Sequence, residues 1–413
     1  MMRIRRLHFV LLHRYVGLLI ALFLVIASVT GGLLAFKDEL DAWLAPQLFV
    51  AASTPDAPLL DPFDLRQKVA QQVAPKGRVD AVVFNLKAGY TARFPIAPNP
   101  DPETGKFYEL DYDEVFVDPH TGQIQGRRAR DAISLRPGQL MPLVFQIHHS
   151  LALPGVWGTL LLGVVSLLWT LDCFVGAYLT LPKGRPWMPK WKQAWLIKWH
   201  AGVYRATLDV HRAGGLWLWA VLLLFAWSSV MFNLREPVFR PVMGIVFPFD
   251  DSWRSVPVRP KPVLSPALGW REAHLAAQVA MQDMGRSVGF RVDHEERLML
   301  DRRRGVYAYM VHSSVDLRDT VGNTALLIDA DTGAPRGHWL PTGGASGNTV
   351  SNWMGALHMA HVFGLPYRIF VALLGVAVSV LSVTGFMIWW KKCHARAHAK
   401  TTSEFKPLRD EPV

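Results

Sequence analysis

Hydrophobic positions along this chain follow two regimes. In four places they run unbroken at membrane length. Residues 15–36, 213–234 and 369–390 each run 22 positions without Asp, Glu, Lys or Arg, and residues 157–181 run 25 with a single charge, Asp172. A hydrocarbon core of ~30 Å takes roughly 20 helical residues, and in lipid a backbone must satisfy its own hydrogen bonds. The pattern predicts four membrane-spanning helices. The first is expected to stay as an anchor: its apolar core is too long for a cleaved signal and no small-residue cleavage site follows it. Between the spans the periods are those of a water-facing fold. Residues 64–73 and 270–284 have helical spacing, 79–86 and 306–311 read as strands, and 95–102 reads as a loop. Val115-Phe116-Val117-Asp118-Pro119-His120-Thr121-Gly122 predicts a strand and a tight turn, with glycine supplying the turn conformation.

The same strand and turn recur at Leu326-Leu327-Ile328-Asp329-Ala330-Asp331-Thr332-Gly333. Asp329 and Gly333 lie 211 residues after Asp118 and Gly122; His211 lies 198 after His13, and His358 lies 210 after His148. One offset carries span, outer segment and span onto the same order again, which defines a duplicated architecture. The fold class expected is an integral membrane α-helical protein, four transmembrane helices from a tandem duplication, with two small α+β domains. Its parts are a head (1–14), a first span (15–36), a first outer domain (37–147), a second span with its approach (148–181), a basic loop (182–210), a third span (211–235), a second outer domain (236–355), a fourth span with its approach (356–390) and a tail (391–413).

Charge orients this arrangement. Arg3, Arg5, Arg6 and Arg14 precede the first span; Lys183, Arg185, Lys190, Lys192, Lys198 and Arg205 lie between the second and third; Lys391, Lys392, Arg396 and Lys400 follow the fourth. Lys and Arg near span ends favour the cytoplasmic side, so both termini are expected inside and both α+β segments outside. The net charge of +11 is mostly this asymmetry, and a nucleic-acid partner is not expected. Trp187, Trp191, Trp195 and Trp199 recur every four residues among lysines, which predicts an interfacial helix on membrane lipid; a core-packing stripe is the alternative. The two cysteines, Cys173 and Cys393, form no Cys-x-x-Cys-His, so covalent haem attachment is excluded.

The candidate chemistry lies in histidines at the lips of the spans. His13-Arg14 and His211-Arg212 open two of them, each with a glycine four residues after the histidine, Gly17 and Gly215. His148 and His149, and His358 and His361, stand at the other lip. Imidazole ligates iron, zinc and copper, and ionisable groups at membrane depth are functional candidates. Two groups of two suit two haems with axial histidines inside a helical bundle. The inner group is His13 with His211. The outer group is His148 or His149 with His358 or His361; the repeat offset favours His148 and His358, and His361 could instead hold a propionate. Arg14 and Arg212 could pair with propionates or lipid phosphate, or serve as positive anchors. Asp172 could relay protons, brace a ligand histidine, or hydrogen-bond within the bundle. A closed zinc set is not seen in the spacings. No catalytic acid, base or nucleophile stands out. No dinucleotide or Walker fingerprint is present, so electrons would come from a cytoplasmic partner, a flavin or a quinol.

Taken together, His-Arg-x-x-Gly at His13 and His211, Thr-Gly-Gly-Leu-Leu-Ala-Phe ending at Phe36, Asp-x-x-Thr-Gly at Asp118 and Asp329, Ile-His-x-Ser-Leu at His148 and Leu-His-x-Ala-x-x-Phe-Gly at His358 resemble the PepSY-associated transmembrane family of iron-regulated membrane proteins. The resemblance implies a bacterial inner-membrane protein with PepSY-like periplasmic domains. It also implies two b-type haems and reduction of a ferric siderophore, as in reductases of the ferrioxamine B type. A non-redox sensor or peptidase-regulating protein is the other function the resemblance allows.

Overall fold

A computed structural model describes residues 5–404; residues 1–4 and 405–413 of the expected head and tail, Arg3 among them, lie outside the described residues. In chain order, α1 (Arg6–Leu34) leads to α2 (Lys37–Leu44), α3 (Pro46–Phe49) and α4 (Pro62–Val73), then to strands β1 (Gly77–Val79), β2 (Ala81–Val83), β3 (Ala92–Pro98), β4 (Glu114–Val117) and β5 (Ile124–Arg128). Next come α5 (Pro137–Ser150), α6 (Trp157–Thr180), α7 (Trp187–Lys192), α8 (Val203–Trp217), α9 (Trp219–Asn233), α10 (Arg240–Gly244) and α11 (Trp270–Val288). Strands β6 (Val292–Asp301), β7 (Val306–Ser313), β8 (Thr324–Asp329) and β9 (Pro335–Trp339) precede α12 (Ser346–His358) and α13 (Gly364–Glu404). The chain divides into two compact units: a helical one of residues 1–33, 147–238 and 369–413, and a sheet-bearing one of residues 34–146 and 239–368.

In the helical unit, α1, α6 and the part of α13 up to Ala395 are long and apolar enough to cross a membrane. The expected third span is not one straight helix. Helices α8 and α9 meet at a 70° bend, so the described residues hold three spans, or four if the bent pair counts as one. The break falls at Leu218, whose φ −100°, ψ 0° leaves the helix, just after the Gly214-Gly215 pair; paired small residues are a common seat of helix kinks. Helices α1 and α13 approach through small side chains. Ser28 Oγ lies 2.8 Å from Ser379 Oγ, and a Cβ on Gly375 would meet the Ser28 carbonyl oxygen at 2.5 Å. Such small-residue contacts are how helices associate in lipid, where apolar burial gives no drive. Leu222, Leu374 and Val378 form the buried centre, flanked by Leu24 and Trp169. The tryptophan helix is shorter than expected: α7 ends at Lys192, a 3₁₀ turn carries Trp195, and Trp199 lies outside any helix, 65% exposed. Segments 148–181 and 356–390 each contain a helix end, a turn and then a long helix. Those turns hold all four non-glycine residues with left-handed φ among the described residues, Leu151, Ala152, Ala360 and Phe363.

The sheet-bearing unit repeats one pattern, a helix and four antiparallel strands. Helix α4 begins at Asp61, whose side chain accepts from the Phe63 and Asp64 amides while Pro62 takes the first turn, a strong N-terminal signal. Leu65, Val69 and Val73 pack on Phe94, Val115 and Val117 of the sheet β1-β3-β4-β5. Helix α11 places Ala273, Ala277 and Met281 on Leu298, Tyr307, Tyr309 and Ile328 of the sheet β2-β6-β7-β8-β9. The two sheets are interlocked. Residues 79–86, expected as one strand, split at Asp80: β1 pairs with β3, while β2 pairs with β6. Asp80 holds the crossing between Arg78 Nε and Arg302 Nε, both at 2.8 Å. The loop expected at 95–102 is also partly strand, because Ala92, Phe94 and Ile96 alternate inward through the prolines of β3. The two Asp-x-x-Thr-Gly turns match in detail. Asp118 Oδ1 accepts from the His120 and Thr121 amides and Asp329 Oδ1 from those of Asp331 and Thr332, with Gly122 and Gly333 at φ +79° and +74°.

Candidate functional site

Three histidines of the helical unit are held in the same way. His211 Nδ1 lies 2.9 Å from the Leu381 carbonyl oxygen and 3.2 Å from Thr384 Oγ1 on α13. His148 Nδ1 lies 3.0 Å from the Ala27 carbonyl oxygen and 3.1 Å from Thr30 Oγ1 on α1. His13 Nδ1 lies 2.9 and 3.0 Å from the two carboxylate oxygens of Asp172 on α6. Carbonyls and carboxylates only accept, so each Nδ1 must carry the proton and each neutral ring keeps its lone pair on Nε2. The threonine hydroxyls donate elsewhere, Thr30 to the Ile26 carbonyl at 2.6 Å and Thr384 to that of Val380 at 2.7 Å, which leaves their oxygens to accept from the imidazoles. A glycine completes each seat, four residues after the first acceptor. A Cβ on Gly31 would lie 3.0 Å from His148 Cε1, one on Gly385 3.1 Å from His211 Cε1, and one on Gly176 3.5 Å from His13 Cε1.

This seat has a sequence signature that the motif reading overlooked. Ser28-Val29-Thr30-Gly31 recurs as Ser382-Val383-Thr384-Gly385. The shift is 354 residues, outside the offset of the main repeat, because the first and last spans hold histidines of different helices.

His13 and His211 come together. Their ring centres are 6.1 Å apart and their planes tilted by 55°. Two metal–imidazole bonds of about 2 Å laid end to end, with about 1 Å from each nitrogen to its ring centre, give ~6 Å. Gly17 and Gly215, one turn inside each histidine, border space where a Cβ would meet no protein atom within 4 Å. Among the described residues no group of three His, Cys, Asp or Glu side chains could hold a metal ion. A metal with only two protein ligands needs a partner that brings the rest, as a porphyrin does. The separation of the His13 and His211 rings matches what one shared haem iron would require.

The remaining candidates are placed as follows. His149 is exposed, whereas its neighbour His148 is partly buried. His358 closes α12 in the sheet-bearing unit. His361 follows in the turn, where its Nδ1 is buried without a hydrogen-bond partner among the described residues; burial, and then the charge of Arg318, push its pKa down. Arg14 makes no hydrogen bond or ion pair to the described residues and remains open to an anion. Arg212 is engaged within the protein through one of its nitrogens. Its Nη2 bonds to Asp209 Oδ1 at 2.7 Å and to the Gln193 carbonyl at 2.9 Å. Asp209, fully buried, also takes Arg205 Nε at 2.9 Å. The three-residue spacing of this pair is readable in the sequence, whereas the burial of Asp209 is not.

The fold defines a helical membrane protein with histidines hydrogen-bonded to its apolar helices, together with two small antiparallel sheets. The chain belongs to the family described as the PepSY-associated TM region, which matches residues 10–392. No curated protein matches it.

Proposed function

We propose that this protein lies in a bacterial inner membrane with both termini cytoplasmic, holds two haem b groups, and reduces ferric siderophore in the periplasm with electrons from a quinol or a cytoplasmic donor. The observation that carries this reading is the pair His13 and His211, at haem-ligand separation and with both Nδ1 atoms already bonded. A haem bound there would supply one-electron chemistry at a potential tuned by axial ligation and burial. The chain's own residues hold the arrangement ready. Asp172, Leu381 and Thr384 fix the ring tautomers, and outer-shell bonds of this kind orient ligating imidazoles. Gly176 and Gly385 let the rings lie close to the neighbouring helices. Exposed aliphatic side chains such as Leu19, Leu22, Leu373 and Val376 keep the surroundings apolar in lipid. His148, seated like His211, is proposed for the second haem together with His358, a pairing that rests on the sequence repeat. Reduction takes one electron per iron, and Fe(II) is a weaker Lewis acid than the Fe(III) it replaces, so the chelate loosens without any acid or base from the protein.

The test is an absorbance spectrum of protein purified after haem-replete expression. A Soret band with two haems per chain is expected. His211→Ala should leave one haem, and retention of both would refute the pairing. Anaerobic reduction followed by mixing with a ferric siderophore should yield ferrous iron, trapped by a chromogenic chelator. A folded preparation without haem would overturn the reading and leave the PepSY-type sheets as the working part, in a sensor or peptidase-regulating protein.

A further inference from the structure

We infer that Asp172 is a positioning residue that lowers the redox potential at the His13 and His211 site, acting through His13. This rests on the proposal that those two histidines hold a haem. The three histidine seats of the helical unit share one plan and differ in the charge of the acceptor. Each offers its acceptor to Nδ1, and each has a glycine four residues further on: Gly31 after Ala27, Gly385 after Leu381, Gly176 after Asp172. At His148 and His211 the acceptors are a peptide carbonyl and a threonine hydroxyl, both neutral. At His13 they are the two oxygens of a carboxylate, at 2.9 and 3.0 Å.

Orientation alone does not call for that carboxylate, because the other two seats orient their rings without one. Placing an acid in a span is costly. Asp172 is the one charged residue in the four apolar runs, and its side chain is only 11% exposed. Among the described residues its hydrogen bonds go to His13 alone. A carboxylate that accepts the Nδ1 proton makes the imidazole more basic at Nε2. A more electron-rich axial ligand favours the oxidised metal, so the potential falls.

The experiment is a potentiometric titration of purified full-length protein, followed at the haem absorption bands, for the wild type, Asp172→Asn and Asp172→Glu. Asp172→Asn is expected to keep both haems and to shift one midpoint upward by about tenfold in the oxidised-to-reduced ratio, ~59 mV for one electron. Asp172→Glu is expected to hold that midpoint near the wild-type value. Unchanged potentials in Asp172→Asn, or an equal rise in Asp172→Glu, overturn the inference. Loss of haem from both variants also overturns it, since Asp172 would then be needed for its shape. If Asp172→Asn alone loses haem, a Glu variant with the wild-type potential supports the role of the charge. A wild-type protein that carries no haem sinks the underlying proposal instead.

Discussion

The helical unit and the sheet-bearing unit use polar side chains for different ends. In the sheets, polar groups brace the fold. Asp80 ties the crossing strand to Arg78 and Arg302, Asp118 and Asp329 close matching turns, and Arg128 joins Glu114 and Asp41. In the apolar runs of the helical unit, the polar side chains Asp172, Thr30 and Thr384 form seats for histidine. The outer surface there is apolar: only 11% of the most apolar stretch of α1 is buried within the protein. The lesson is about solvent. Water makes polar residues cheap, so in the sheets they follow the needs of folding. Lipid makes them expensive, so those that persist are either satisfied within or between helices, as Ser28 and Ser379 are, or hold a histidine.

The sharpest way to break this contrast is to fill a seat. Gly385→Leu would drive a side chain into His211, whose Cε1 already lies 3.1 Å from where a Cβ would stand. It is expected to cost one of the two proposed haems outright, read as haem per protein, with the circular-dichroism signal of the sheets unchanged. A second change probes a polar group that braces the helical unit without touching a histidine. Asp209→Ala strands Arg205 and Arg212, and breaking a buried pair costs about 3 kcal/mol, the low end of the range because Arg205 is 40% exposed. A lowered thermal midpoint in detergent, with the haem count kept, is the expected result.

Acid should distinguish the two units more gently. Burial alone would raise the pKa of Glu295, yet hydrogen bonds from His274, Tyr309 and Gln278 outweigh it and hold the group down at about 2. Burial likewise opposes, and Arg336 with the Asp331 and Thr332 amides outweighs, at Asp329, again about 2. Carboxylates depressed in the folded state stabilise it above their unfolded values of about 4, and that stability is lost as pH falls toward 2. Strand signal should therefore weaken between those limits; a flat response would show that the two carboxylates do not matter to the fold. The smallest effect expected is at the α4 cap. Asp61→Ala should destabilise the sheet-bearing unit by about 1 kcal/mol, measured by urea titration of its circular dichroism.

Much of the fold was legible because its signals are local. The apolar runs of the first, second and fourth spans, the helix at 64–73 and the paired Asp-x-x-Thr-Gly turns depend on neighbours in sequence, and all are present. The misses have a common cause. Whether residues 79–86 make one strand or two depends on the partners β3 and β6, which lie well apart in the chain. Prolines suggested a loop at 95–102 because their tolerance within β3 is decided by the strand beside it. The third span looked straight because hydropathy carries no record of a bend.

For the site, the sequence by itself determined which residues were available: histidines at the lips of apolar runs, glycines one turn away, and one acid within a span. It also contained the repeated Ser-Val-Thr-Gly that seats two of those histidines, though nothing local says which histidine goes with which seat. Only the tertiary structure decided that His13 meets Asp172 across 159 residues, that His211 leans on α13, and that the two ring centres lie 6.1 Å apart. The physical reason is that the cost of a polar group in lipid is written in composition, whereas its satisfaction is a matter of distance between helices, which composition does not encode.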